Sequence, residues 1–262
     1  MNRSAIAAGT LAALAVLAGC ATPAVTSEQS YSRQPGQDSQ AQARARIHTE
    51  LSAGYYARAQ YDVALEELNN ALREDPSYAP AFGMLGLVYS ELRDDAQAER
   101  HFQRAIELNQ QDPEVRNNYG WFLCQRGREP QALGQFELAV RNPFYRTPDM
   151  ALINAGRCAA RIGDRKGAEA YLQQALAVAP ASVTAQYLLT ELAYKAGDLQ
   201  LARMRVRPIA AGSAPGPEAL FLAVCIERKL GNMPDEASYL FQLRQRYPNA
   251  KEVKLIASGG CQ

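Results

Sequence analysis

The stretch 79–112, APAFGMLGLVYSELRDDAQAERHFQRAIELNQQD, constrains this chain most, because its spacing recurs before and after it. Phe82, Leu85, Gly86 and Tyr89 fall at helical intervals and mark one stripe. Ala98, Phe102 and Ala105 mark a second, after the polar break Arg93-Asp94-Asp95. Apolar positions three and four apart predict two amphipathic helices joined by a turn. Gly86 and Ala98 carry little bulk, so the two helices can approach closely while the aromatic rings fill the space around the contact.

An aromatic, Leu-Gly, Tyr, then Ala, an aromatic and Ala, recurring about every 34 residues, is the tetratricopeptide pattern. The expected fold is therefore all-α, a tetratricopeptide-repeat superhelix of about six helix-turn-helix units in which each unit packs on its neighbours. The array is expected over 45–250, with units at 45–78, 79–112, 113–148, 149–182, 183–217 and 218–250 and a C-terminal tail at 251–262. The first unit carries His48, Leu51, Ser52, Tyr55, Ala64, Leu68 and Ala71 in register and closes at Pro76. His48 takes a slot that usually holds an aromatic, which predicts a packed role. The third starts at Pro113 and keeps Tyr119, Gly120, Leu123, Ala132, Phe136 and Ala139. It ends in an irregular stretch, 142–148, which predicts a surface loop. The fourth keeps Leu152, Gly156, Ala168 and Leu172 around the turn Gly163-Asp164. The fifth keeps Leu189, Gly197-Asp198 and Ala202 and then weakens. Pro208 and the segment 211–217 predict that its second helix is shortened or broken. The sixth, degenerate unit has its turn at Gly231-Asn232, with Ala237, Phe241 and Pro248 beyond.

At the N-terminus, Arg3, an apolar run over 5–17 and Leu17-Ala18-Gly19-Cys20 have the order of a lipoprotein signal peptide, expected over 1–19. The apolar run is shorter than the about 20 residues that a membrane-crossing helix needs. In such processing the Cys20 thiol receives a diacylglycerol before cleavage, and a second acyl chain on the new amino terminus makes the anchoring stable. Ala21 rather than Asp follows the cysteine, which points to the outer membrane. The covalent lipid on Cys20 is the only group of cofactor kind expected. The segment 20–44, rich in Thr, Ser, Gln, Pro and Gly, is expected to be a flexible tether.

Charge excludes one class of partner. The chain has 28 Lys and Arg against 27 Asp and Glu, and removal of the signal takes away Arg3, leaving 27 against 27. A neutral chain gives no basic footprint for nucleic acid. The two histidines, His48 and His101, stand in no metal-ligand or catalytic spacing, and the sequence holds no H-E-x-x-H, C-x-x-C, G-x-S-x-G or Walker A pattern. Acidic pairs such as Glu66-Glu67 and Asp94-Asp95 read as solvated faces or turns. No enzyme, metal site or small-molecule substrate is expected. Export would place Cys124, Cys158, Cys225 and Cys261 where disulfides persist, although Cys225 equally reads as a small buried hydrophobe.

What the chain offers is a surface. In solenoids of this kind the first helix of each unit lines a concave face that serves binding. The positions left after removing the core are Tyr56, Leu87, Asn117, Trp121, Gln125, Ile153, Arg157, Arg161, Tyr187 and Tyr194. Trp121 is the only tryptophan, and Trp, Tyr and Arg are enriched where binding energy concentrates. Arg157 and Arg161, one helical turn apart, suit a carboxylate.

Two segments narrow the reading: Asn117-Asn118-Tyr119-Gly120-Trp121-Phe122-Leu123-Cys124 and Asn154-Ala155-Gly156-Arg157-Cys158. With the lipobox, the tether, the repeats and the run ASYLFQLRQRYP at 237–248, they resemble the PilF/PilW family of type IV pilus biogenesis lipoproteins, also called pilotins. The resemblance covers nearly the whole mature chain. It implies an outer-membrane lipoprotein on the periplasmic side that binds the secretin or another type IV pilus assembly protein and assists its assembly, localisation or stability. It also implies a disulfide between Cys124 and Cys158. Cys225 and Cys261 lie outside the family pattern, and a second bridge tying down the tail is a further expectation. The alternative is a lipid-anchored adaptor that organises other periplasmic envelope or cell-wall assembly proteins, since the same repeats serve many partners.

Overall fold

A computed structural model describes residues 39–261, which form thirteen helices and, among the described residues, no strand. Six antiparallel pairs follow one another: α1 (Gln40–Tyr56) with α2 (Tyr61–Glu74), α3 (Ala79–Glu91) with α4 (Asp95–Leu108), and α5 (Pro113–Gln125) with α6 (Glu129–Val140). Then come α7 (Pro148–Arg161) with α8 (Arg165–Val178), α9 (Val183–Lys195) with α10 (Leu199–Ala210), and α11 (Pro217–Lys229) with α12 (Met233–Arg246). A short helix, α13 (Lys251–Ala257), ends the array.

The turn inside each unit is built the same way. One residue takes a left-handed conformation: Ala59 (φ 56°), Arg93 (64°), Gly127 (73°), Gly163 (77°), Gly197 (77°) and Gly231 (71°). The next amide then bonds to the carbonyl five residues back, as in Asp94 to Tyr89 (3.0 Å), Arg128 to Leu123 (2.9 Å) and Asn232 to Glu227 (2.9 Å). This closes the first helix with a Schellman bond. Glycine suits the left-handed position because an L side chain is strained there. Arg93 and Ala59 adopt it nonetheless. Differences between these positions are 34 residues everywhere except 36 between Gly127 and Gly163, which places the two extra residues in the loop before α7. That loop is held by Tyr145, which is buried, and by the Asn142 side chain, which donates to the Gln111 carbonyl at 2.6 Å and accepts from the Phe144 amide at 2.9 Å.

Counting from each turn also fixes the core. Ala98, Phe102 and Ala105 in α4, Ala132, Phe136 and Ala139 in α6, and Ala168, Leu172 and Ala175 in α8 are all buried. Opposite them the first helices carry glycines whose absent side chains are required. A Cβ at Gly86 would lie 2.7 Å from the Phe102 ring, at Gly120 2.8 Å from Phe136, and at Gly156 2.7 Å from Leu172. Toward the C-terminus the sizes even out: Thr190 and Val224 are fully buried in the same slot of α9 and α11, and Val206 of α10 and Leu240 of α12 take the slots opposite.

Three expectations are corrected, one of them in part. The helical array starts at Gln40, so 40–44 is not tether; Ser39 accepts from the Gln42 amide at 3.1 Å and the Gln42 side chain accepts from the Ser39 amide at 3.3 Å, a capping box. The sixth unit is packed one residue earlier than its residue types suggest: Ala237 and Phe241 are exposed, Phe241 by 64%, while Leu243 is buried and Leu240 packs against the core. Pro208 does not break α10, because it lies in the last turn on the exposed side and forfeits a single ladder bond; of the two outcomes expected it is the shortening that holds, α10 having 12 residues against 14 in α4 and α8. The tail expected over 251–262 contains α13, which packs on α11 and buries Ile256 and Glu252. The signal segment, Cys20 and the tether up to 38 lie outside the described residues. No described helix is long and apolar enough to cross a membrane.

Candidate protein-interaction surface

Each first helix packs on the first helix of the next unit, whereas the second helices make no comparable contact with one another. The layer of first helices is thus the more closely packed one, and its open side corresponds to the inner face of a solenoid of this kind. Side chains at equivalent places in successive first helices therefore form rows along one inner face. Leu87, Trp121 and Arg157 form one such row, and Gln125 and Arg161 belong to another.

Leu87 and Trp121 are half-buried against the core around Phe102, Phe122 and Phe136, with part of each side chain open. Tyr56 is also half-buried; its hydroxyl lies 3.4 Å from Glu91, and burial, then the Glu91 charge, pushes its phenol up to about 12. Gln125 is half-buried beside Arg126, whose guanidinium donates to Asp95 and to the Ser90 carbonyl at 3.1 Å, tying α5 to the preceding unit. Arg157 and Arg161 are exposed, Arg161 lying 3.9 Å from Glu129.

Two sequence candidates are not surface residues. Ile153 is 2% exposed and belongs to the core between α7 and α9. Asn117 is 8% exposed, and its side-chain oxygen accepts from the Asn154 amide at 3.0 Å, so it joins α5 to α7. Both occupy the slot that faces the seam between neighbouring first helices. Tyr194 is engaged by the chain's own end: its hydroxyl donates to the Cys261 carbonyl at 2.8 Å and its ring lies 4.7 Å from the Lys229 ammonium. Tyr187 is half-buried against the cluster that includes Ile256, and burial, followed by the Glu191 charge, pushes its phenol up to about 12.

The four described cysteines pair in two bridges. Cys124 and Cys158, both fully buried, link α5 to α7 with Cα atoms 5.9 Å apart. Cys225 of α11 is bonded to Cys261 with Cα atoms 5.1 Å apart, so it is not the free buried thiol that its surroundings also suggested. The second bridge lays the C-terminal segment across the inner side of the last units.

His48 is not merely packed, because its Nδ1 lies 2.7 Å from a Glu67 oxygen. His101 stacks between Phe82 and Tyr89, with ring centroids at 6.0 and 5.3 Å, and burial holds its imidazole below the usual range. Among the acidic pairs, Asp94 caps α4 through the Gln97 amide and Asp95 pairs with Arg126. Among the described residues no three His, Cys, Asp or Glu side chains converge as a metal site would require. Sequence reading missed Lys195 and Lys229, which stand where Arg161 stands in the two following units; the 34-residue spacing was the available signal.

The tetratricopeptide-repeat family matches residues 55–118, 101–137 and 153–206. The crystal structure of PilW, a widely conserved type IV pilus biogenesis factor, is 30% identical, with a TM-score of 0.73 over 81% of this chain and 98% of PilW. The type IV pilus assembly protein PilF of Pseudomonas aeruginosa is 25% identical over 207 residues, 79% of this chain and 82% of that protein. A solved structure of Pseudomonas aeruginosa PilF, 23% identical and covering 84% of this chain and 100% of its own, shares the fold with a TM-score of 0.71. The chain belongs to the PilF/PilW family of tetratricopeptide-repeat proteins.

Proposed function

We propose that this chain is a non-enzymatic, lipid-anchored scaffold of type IV pilus biogenesis that binds the secretin, or another pilus assembly protein, through the inner face of its repeats. The observation that carries this reading is the likeness to PilW, which spans nearly all of PilW at 30% identity. In this reading Cys20 carries the lipid that holds the protein at the periplasmic face of the outer membrane, and the repeats supply a preformed surface for a partner segment. A rigid surface loses less freedom on binding than a flexible one, and the bridge between α5 and α7 stiffens the middle of that surface.

The test separates anchoring from folding. Cys20→Ala is expected to leave the repeats folded, move the protein out of the outer-membrane fraction and lower the number of assembled secretin multimers. Outer-membrane fractionation of that variant together with normal multimers would overturn the anchoring role.

A further inference from the structure

The inner face changes character from one end of the array to the other. Allowing for the two extra residues before α7, the row of Trp121 reads Ala53, Leu87, Trp121, Arg157, Glu191 and Cys225. The row of Gln125 reads Ala57, Glu91, Gln125, Arg161, Lys195 and Lys229. Units one to three put no cation in either row, whereas units four to six put in Arg157, Arg161, Lys195 and Lys229 against the single acid Glu191. All four cations are exposed. Lys195 remains 67% exposed although it pairs with Glu191 at 2.8 Å, and Arg157 has no ion pair among the described residues.

A cation in the last turn of a helix is favoured by the helix dipole, which is the plain explanation for Arg161, Lys195 and Lys229. It does not explain why the same turn carries Ala57, Glu91 and Gln125 in the first three units, nor why Arg157 stands a turn earlier. Beside Arg157 lies a cleft of about 280 Å³ lined also by Thr184, Tyr187, Ala219 and Glu218. The Tyr187 phenol, pushed up to about 12, stays a protonated donor at neutral pH. A guanidinium and two hydroxyls make a seat for a carboxylate, and Glu218 disfavours a second one in the same cleft.

We propose that the partner segment is an extended peptide with a fixed polarity, its apolar side chains over Leu87 and Trp121, one carboxylate at Arg157 and further acidic residues along Arg161 and Lys195. This rests on the scaffold reading above and adds the chemistry and direction of the partner. The apolar end supplies most of the affinity, and the cationic end sets orientation and rate of encounter.

The probe is a pair of fluorescein-labelled peptides with a Leu- and Phe-containing half followed by a run of Glu, or of Gln in the control, titrated with the mature chain by anisotropy. The Glu peptide is expected to bind about tenfold tighter than the Gln peptide at low salt, with the gap shrinking at about 0.5 M salt. Arg157→Gln with Arg161→Gln removes the gap, and Trp121→Ala weakens both peptides alike. Equal affinity for the two peptides, binding of neither, or a gap that survives the double substitution overturns the proposal. The double variant and wild type are also compared for retention of the secretin from detergent-solubilised membranes. Undiminished retention by the variant overturns the polarity while leaving the scaffold reading intact; no retention by wild type overturns that reading instead.

Discussion

Units two and three and units five and six make the same helix-helix contact with different distributions of size, steep in the former and nearly even in the latter. In the former, a glycine on the first helix meets a fully buried phenylalanine on the second, Gly86 with Phe102 and Gly120 with Phe136. In the latter, Thr190 and Val224 fill the glycine slot and the second helices answer with Val206 and Leu240. The C-terminal units also carry what the regular ones lack. A fully buried Glu227 accepts from Arg203 at 3.0 Å and from Asn232 at 2.8 Å, and a disulfide pins the tail. The repeat signature thus describes a space to be filled, and the filling can be shared more evenly between the two helices than a glycine facing a phenylalanine.

That comparison can be broken by single substitutions. The largest effect is expected from Phe136→Ala, at about 4 kcal/mol, because a fully buried ring leaves a cavity. Leu240→Ala, at a half-buried site, should cost about 2 kcal/mol. Urea titration followed by hydrogen exchange checks both, since unfolding in a solenoid is local and each loss should stay within the substituted unit and its neighbours. Equal losses at the two sites would argue that the C-terminal unit is packed as tightly as the regular ones.

Next in size is a pair with opposite logic. Gly120→Ala adds a methyl where Phe136 leaves no room and should cost about 1 to 3 kcal/mol, whereas Val224→Ala removes methyls from a filled slot and should cost about 2 kcal/mol. If Gly120→Ala proves neutral, the glycine is not there for the close approach.

The smallest effect concerns the turns. Arg93 holds a left-handed conformation at φ 64° where Gly197 takes the equivalent place at 77°. Arg93→Gly should gain up to about 1 kcal/mol and Gly197→Ala should lose about 1 kcal/mol, read as shifts in the unfolding midpoint. A loss on Arg93→Gly would mean that its side chain contributes more than the strain it carries.

The regular units were legible in the sequence because residue type and spacing agree there, as with Gly86 and Phe102. In the sixth unit they disagree. Ala237 and Phe241 are the expected residue types, yet they stand one residue past the slots that counting from Gly231 selects, and geometry prevails over resemblance. The same count would have found Lys195 and Lys229 from Arg161. Ser39 and Gln42 likewise spell a capping box, hidden by the polar composition around them. The burial of Asn117 and Ile153 was not legible, because it depends on how closely one first helix lies against the next, which no pattern within a single unit records. The bridge from Cys225 to Cys261 was an expectation the structure bears out, but the contact of the C-terminal segment with Tyr194, made across 67 residues of chain, was not legible.

The two ends enter the functional account differently: units two and three provide the apolar end of the inner face, and units four to six the cations. The account stands on participation in pilus biogenesis, and surface pili can be counted directly in a strain lacking this chain. Loss of pili and of twitching motility, restored by the wild-type chain and not by Cys20→Ala, is the expected result. Normal piliation in the deletion strain would contradict it.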